Sequence, residues 1–452
     1  ATWLTIDVVE RGAAAPARLA AGADVAVVVV GDHPLVNGRE TEDRADLALA
    51  PAQDAVVRAV RAANPRTVMV ITSGYPVTWS DPDVPAVLWS SHGGQEYGHA
   101  LADVLFGDAD PEGRLTQTWY RSASELPDLL DYDIIATDAT YLYYRGTPLH
   151  PFGHGLSYTT FDYSDLGVIV SGDGDSGTVT ATVTVTNTGS RPGSEVVQFY
   201  THQRRSRVKQ PLRRLRGFER VRLAPGESRT VSLAFPVRDL AFWDVTRARF
   251  VVEDAPHQLM AGRSATDLRL STPFHVAGET VPPRRGALPA VDHDAYDAVA
   301  FVDAAKVAGD AVRSEAEGAW ILFRDVDLTG ADSCVIEAAS TEGGVVTLRL
   351  DDLLHGPTLG ALPVPPADRH TPAAVEGELA EVSGVHDLYV VFENEGITLG
   401  HLTLTGSEEP AVARAGAART LAATGGRTAH GQLPGARGLA SLGHPRVGRS
   451  GT

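Results

Sequence analysis
Arg39, Glu40, Glu42, Asp43 and Arg44 crowd one short loop, inside the stretch ADVAVVVVGDHPLVNGRETEDRADLALAP that begins at Ala23. A carboxyl group in such company can be set to give and take a proton: burial and neighbouring negative charge raise its pKa, and cations lower it. Glu42 and Asp43 would raise that of Glu40, while Arg39 and Arg44 would lower it. The chemistry open to the loop is therefore general acid–base catalysis. Residue types alone do not choose between Glu40 and Glu42, and for Asp43 and Arg44 the competing role is an ion pair that holds the loop's shape. His33 and His92 each follow a predicted strand and could face a ligand, the alternative being a hydrogen-bonded loop histidine.

The charged loop needs a rigid element to carry it, and the run Val25 to Val30 supplies one. Apolar without alternation, it reads as a strand covered on both faces, as in a parallel sheet flanked by helices. Open sheets of that kind place their chemistry in loops at the carboxyl ends of the strands. A helix over Ala52 to Ala63, with Pro51 at its first position and Asn64-Pro65 at its end, follows. Strands at Thr67 to Thr72 and Ala86 to Ser90 and a helix at Tyr97 to Phe106, ending at Gly107, continue the alternation. This is the grammar of a parallel α/β sheet, with about half of such a domain present. Gly93-Gly94-Gln95-Glu96 opens the last helix and reads as its cap, and Trp79, Trp89 and Trp119 read as packing.

At 452 residues the chain predicts about three domains of roughly 100–200 residues each. Its net charge of −18 argues against nucleic acid or an anionic membrane as a partner and leaves a neutral ligand as the natural one. The single Cys334 allows neither an internal disulfide nor a cysteine zinc cluster. No run reaches the length of a membrane span, and no phosphate-loop, dinucleotide or zinc-ligand spacing occurs. The one basic concentration, Arg204, Arg205, Arg207, Lys209, Arg213, Arg214 and Arg216, reads as a solvated loop that docks on the acidic first domain.

From Gly177 the pattern turns all-β. Val179, Ala181, Val183 and Val185 alternate with period two before the turn Asn187-Thr188-Gly189, and Glu195 to Thr201, Arg229 to Phe235 and Arg249 to Glu253 follow at sandwich-like spacing. A Pro/Gly/Arg-rich linker, GETVPPRRGALP, leads to a third unit with strands at Trp320 to Val326, Ser333 to Ala339, Val345 to Leu350, Asp387 to Phe392 and Thr398 to Leu404. After Glu409 the chain holds six arginines and no acid among Gly, Ala, Ser and Pro, a composition that cannot bury a core and predicts disorder.

The runs NGRETEDRADLALAP, HGGQE with ALADVLFGDADPEGRL, and PFGHGLSYTTFDY, in that order, resemble the C-terminal half of glycoside hydrolase family 3, the β-glucosidase and β-xylosidase family. VTVTNTGSRPGSEVVQFY and LRGFERVRLAPGESRTV are similar to the fibronectin type III-like domain that follows in many members. GAWILFRDVDL, GGVVTLRLDD and GVHDLYVVF resemble a family 6 carbohydrate-binding module. The expected fold is multidomain: a partial α/β sandwich domain over 1–160, a fibronectin type III-like β-sandwich over 161–277, a linker over 278–290, a carbohydrate-binding-module-like sandwich over 291–406 and a disordered tail over 407–452.

The resemblance implies a retaining β-glycosidase acting on terminal β-D-glucosyl or β-D-xylosyl residues of an oligosaccharide or β-glycoside. Its aspartate nucleophile would lie on an N-terminal (β/α)8 barrel, expected upstream of Ala1, and a secretion signal would lie upstream as well. Aligning the family's Glu-Gly-x-Asp-Arg loop on Asp43-Arg44 puts Glu40 at the acid/base position, with Thr41 in place of the glycine and Glu42 as the runner-up. In the third unit Trp320 and Phe323 are the candidates for stacking on a sugar. No cofactor is implied; Asp351-Asp352 and Glu315-Glu317 are candidates for a structural calcium, with surface carboxylates as the alternative. The competing functional class is a non-catalytic accessory chain with docking and sugar-binding sandwiches.

Overall fold
The computed structural model describes residues 12–33, 44–172, 174–306 and 309–406. The fold is multidomain: a partial α/β unit followed by two all-β sandwiches. In the first unit, β1 (Ala26–Gly31), β2 (Thr67–Thr72) and β3 (Ala86–Ser90) form a parallel sheet in that order, pairing Ala26 with Thr67 and Val68 with Ala86. α1 (Ala14–Ala21) and α2 (Pro51–Ala63) pack on one another and on the sheet. Val57 and Val60 of α2 meet Val28, Val30, Met69 and Ile71 in one core. α3 (Tyr97–Phe106) ends at Gly107, whose φ of +82° suits the left-handed stop glycine provides.

One expectation is corrected here. β1 is not covered on both faces: Val25, Val27 and Val29 are 51%, 48% and 63% exposed, while Ala26, Val28 and Val30 are buried. α1 and α2 both lie against the latter set, and no described element covers the other face of this edge strand.

Segment 107–160 wraps from α3 towards the next module. Trp119 is buried against Trp89 at 5.7 Å and His150 at 5.9 Å, so these tryptophans are packing residues. The second module is a seven-stranded sandwich. One sheet holds β4 (Phe161–Ser171), β5 (Thr178–Asn187) and β8 (Ser228–Pro236). The other holds, in the order β12-β11-β6-β7, β6 (Gly193–Gln203), β7 (Arg214–Leu223), β11 (Ala255–Gly262) and β12 (Leu268–Val276). Val179, Ala181, Val183 and Val185 point inward, fully buried, as strand alternation requires. A two-stranded ribbon, β9 (Phe242–Asp244) with β10 (Arg249–Val251), hangs beside it.

The third module packs a five-stranded sheet (Ala295–Asp297, Ala319–Asp327, Val385–Phe392, Gly344–Leu350, Thr358–Val364) against a six-stranded one centred on Thr398–Thr405. Their shared core includes Ile321, Phe323, Ile336, Leu348, Phe392 and Leu402. No helix among the described residues is long and apolar enough to cross a membrane.

The basic run is also corrected. Arg207 and Arg216 are not solvated: Arg207 is held on buried Asp244 at 3.0 Å, and burial pushes the Arg216 guanidinium down to about 10. Only part of the run reaches the preceding segment, through Lys209 on Asp138 at 2.8 Å and Arg213 on the Tyr144 carbonyl at 3.4 Å.

A pH dependence arises in the same module. His257 on β11 is 2% exposed, and burial, with nearby Arg216, outweighs its bond to the Ala255 carbonyl to bring it down to about 4. Between about pH 6.5 and 4 the unfolded chain then takes up a proton that the folded chain refuses, so stability falls as pH falls through that window. At about 1.4 kcal/mol per unit the loss approaches 3 kcal/mol. Urea midpoints at pH 7, 5.5 and 4.5 are expected to drop less steeply in His257→Gln than in the parent chain. Parallel slopes would refute the assignment.

Candidate functional site
The carboxyl ends of β1, β2 and β3 converge on one spot. Position 31, the last of β1, requires glycine, because a Cβ there would lie 1.8 Å from the Thr72 carbonyl oxygen and its φ is +145°. The Gln53 side chain of α2 grips the same residue at both its backbone groups, accepting from the Gly31 amide at 3.3 Å and donating to its carbonyl at 2.9 Å. The next residue, Asp32, turns back over β2. Its amide donates to the Thr72 carbonyl at 3.0 Å, and its Oδ1 accepts from the Gly74 amide at 3.3 Å. Oδ1 also meets His92 Nε2, beyond β3, at 2.8 Å. The Asp32 side chain is 4% exposed, and its Oδ2 is buried without a hydrogen-bond partner among the described residues.

Ser73 locks the floor beneath. Its hydroxyl donates to the Tyr75 carbonyl at 2.7 Å and accepts from Trp89 Nε1 at 3.0 Å. Tyr97 at the start of α3 meets the Thr72 hydroxyl at 2.8 Å. The result is a rigid rim of fixed polar groups, with a buried carboxylate and a half-exposed histidine at the carboxyl ends of the strands.

The candidate acid/base residues Glu40 and Glu42, with Arg39 and Asp43, lie outside the described residues. His33 sits exposed on the rim. Arg44, where description resumes, donates to the Ala48 carbonyl at 2.5 Å, and Ala48 bridges in parallel to Thr78. The structure thus brings His92 and the start of the loop together through Asp32. Sequence reasoning passed over Asp32 as a site residue; its signal was the polar residue directly after the strand-ending glycine. Residues 93–96 do not cap α3 by side chain, because Glu96 is bonded to His99 Nδ1 at 2.7 Å instead.

The third module separates its two candidates. Phe323 is fully buried in the core and cannot stack on a sugar. Trp320 is half-buried on the opposite face, edge-on to Tyr389 at 5.5 Å. The calcium candidates do not assemble either. Asp351 binds His386 and the Asp387 amide, Asp352 accepts from the Leu354 and His355 amides, and Glu315 pairs with Arg313. The described residues hold no group of three or more His, Cys, Asp or Glu suited to a metal ion.

Residues 8–158 match the glycosyl hydrolase family 3 C-terminal domain, residues 195–265 a fibronectin type III-like domain and residues 289–405 a family 6 carbohydrate binding module. Among relatives, a β-glucosidase of Rhizobium radiobacter is 36% identical over 289 residues, which is 59% of this chain and 34% of that protein. The thermostable β-glucosidase B of Acetivibrio thermocellus is 34% identical over 274 residues, covering 57% of this chain and 36% of its own. Among solved structures, the Kluyveromyces marxianus β-glucosidase in complex with glucose superposes with a TM-score of 0.53 at 34% identity, over 58% of this chain and 33% of that one. The chain spans about a third of the length of the curated relatives it matches. It therefore carries a glycosyl hydrolase family 3 C-terminal domain, followed by a fibronectin type III-like domain and a family 6 carbohydrate binding module.

Proposed function
We propose that this chain supplies the acid/base half of a retaining β-glycosidase that releases terminal β-D-glucosyl or β-D-xylosyl residues from oligosaccharides or β-glycosides. Glu40 protonates the departing glycosidic oxygen and then, as a carboxylate, activates the water that frees the enzyme. The nucleophile is an aspartate on an N-terminal (β/α)8 barrel, about 5–5.5 Å from the acid/base in the assembled site. The observation that carries the reading is the rim at the carboxyl ends of β1–β3. The segment holding Glu40 follows His33 there, and Asp32, Gly74 and His92 are bonded into one unit where it departs. Support for the sugar comes from the β-glucosidases among its relatives.

The test is made on the chain joined to its barrel. Glu40→Gln is expected to slow substrates with poor leaving groups by roughly 100- to 10,000-fold, the usual worth of general acid–base catalysis. Activated aryl glycosides need little protonation and lose less in the first step, and azide restores turnover by attacking the glycosyl-enzyme without a general base. Equal loss on both substrate types, with Glu42→Gln giving the selective pattern, moves the role to Glu42. Activity of the 452-residue chain without a barrel would overturn the reading of the nucleophile.

A further inference from the structure
A cavity of about 430 Å³ lies where the three modules meet, within the roughly 300–1,000 Å³ of small-molecule sites. None of its walls comes from β1–β3 or the loops at their carboxyl ends. Asp133 and Tyr143 reach it from the segment after the α/β unit, the β9–β10 ribbon and His257 from the second module, and Asp292 from the third.

Its apolar wall is a pair of aromatic rings left in the open. Trp243 and Phe250 are cross-strand partners on the ribbon, 49% and 66% exposed, with ring centroids 5.2 Å apart at 78°. Their backbone neighbours Asp244 and Val251 are buried, so the ribbon is anchored and the two rings are held outward. Rigid exposed rings of this kind suit the C–H face of a pyranose, which offers apolar contact on one side and hydroxyls around its edge.

The polar wall fits those hydroxyls. Tyr143 is 6% exposed, yet its phenol has no hydrogen-bond partner among the described residues, and burial holds it above the usual tyrosine pKa, so it remains a donor. His257 is neutral near pH 7; Nδ1 lies 3.0 Å from the Ala255 carbonyl, which fixes the proton there and leaves Nε2 an acceptor. The Asp292 carboxylate has no hydrogen-bond partner among the described residues and is a second acceptor, with Arg214 as a further donor.

Charge selects against an ion. Arg207 is taken up by Asp244 at 3.0 Å and Lys209 by Asp138 at 2.8 Å, whereas Arg216 donates to the neutral Thr201 hydroxyl at 2.6 Å and keeps its charge. What faces the space is a balance of Arg214 and Arg216 against Asp292 and Asp133, with both donors and acceptors in the wall beside the two rings. We infer that this three-module cavity binds a neutral mono- or disaccharide unit, stacked on Trp243 and Phe250 and hydrogen-bonded by Tyr143, His257 and Asp292.

Calorimetric titration of the 452-residue chain with glucose, cellobiose, xylobiose and, as an anionic control, glucuronate tests this without a barrel or turnover. At least one neutral sugar is expected to bind. Trp243→Ala should weaken it about ten-fold or more, the scale of one lost stacking contact with its buried area. Phe250→Ala should act in the same direction, and Trp320→Ala in the third module should leave this binding in place. The unfolding midpoint of Trp243→Ala, an exposed position, serves as the fold control. Absence of binding by every neutral sugar, survival of binding in the Trp243→Ala/Phe250→Ala double variant, or its loss in Trp320→Ala alone would overturn the inference. Preferential, salt-sensitive binding of glucuronate would overturn the neutral class. A chain inactive with its barrel that still binds at Trp243 would sink the glycosidase reading and leave this one standing.

Discussion

Gly31→Ala is expected to unfold or badly loosen the α/β unit, costing about 3 kcal/mol or more. Two terms add. The new Cβ would sit 1.8 Å from the Thr72 carbonyl oxygen and 2.7 Å from its carbon, so β1 and β2 cannot keep their pairing at that rung. Overpacking against an immovable backbone costs typically about 1–3 kcal/mol, and a φ of +145°, a region that only glycine enters freely, costs a further 1–3 kcal/mol or so. On the proposed acid/base role of Glu40 the consequence reaches function, because Gly31 immediately precedes Asp32 and the segment with Glu40. Gln53→Ala provides the graded control. It removes the bidentate grip on the Gly31 backbone without a clash and should cost about 1–2 kcal/mol, since it leaves a partly buried amide and carbonyl unpaired. Denaturant unfolding followed through Trp89, which lies over the same floor, measures both. A Gly31→Ala chain as stable as its parent would mean that the rim yields, and that the close approach of the two strands is not what fixes Asp32.

Much of this architecture can be read from the residues. The strands Thr67–Thr72 and Ala86–Ser90 and the helix Tyr97–Phe106 stand where turn residues bracket them, Ser73-Gly74 after one strand, Ser91-His92 after another, Gly107 after the helix. The alternation of Val179 to Val185 is reproduced residue by residue in its burial. Other strands hide for local reasons. Phe161–Ser171 carries a bulge between Ser164 and Gly167 that breaks its period, and Arg214–Leu223 is so charged that it reads as a loop. Phe323 was legible and misread: three residues from Trp320 on one strand, it has the opposite parity and must face the other way. The tie between Asp32 and His92 spans sixty residues and depends on the order of parallel strands, which no local pattern encodes. The open face of β1 escaped for a similar reason, because an apolar run reports what a strand prefers and not what is present to cover it.

The seam between the first two modules concentrates the second large effect. Glu195 on β6 is fully buried between Arg114, at 3.0 Å on Oε1, and Arg263, whose Nε sits 3.3 Å from Oε2 without making a hydrogen bond. Oε1 also accepts from the Val196 amide at 2.9 Å. Arg114 belongs to the segment leaving the α/β unit, so this carboxylate is a polar pin across the module boundary. Glu195→Ala leaves the Arg114 guanidinium, 9% exposed, without its counter-ion, and removing one partner of a buried pair costs about 3–5 kcal/mol. The pair as a whole is worth far less than that, because burying two ions is itself expensive. The triple variant Arg114→Met/Glu195→Leu/Arg263→Met should therefore recover most of the loss if the apolar side chains fill the space. The loss should also be greatest at the seam: Gly153 and Asp110 bond to the same module through Gln198 and Ser194, so cleavage by a protease between residues 107 and 160 should rise with it. If Glu195→Ala matches the parent in denaturant midpoint, water reaches Arg114 in the folded state and the pin does not hold the modules together. If the triple variant fares no better than Glu195→Ala, the charges themselves, and not merely the exclusion of water, specify how the two modules meet.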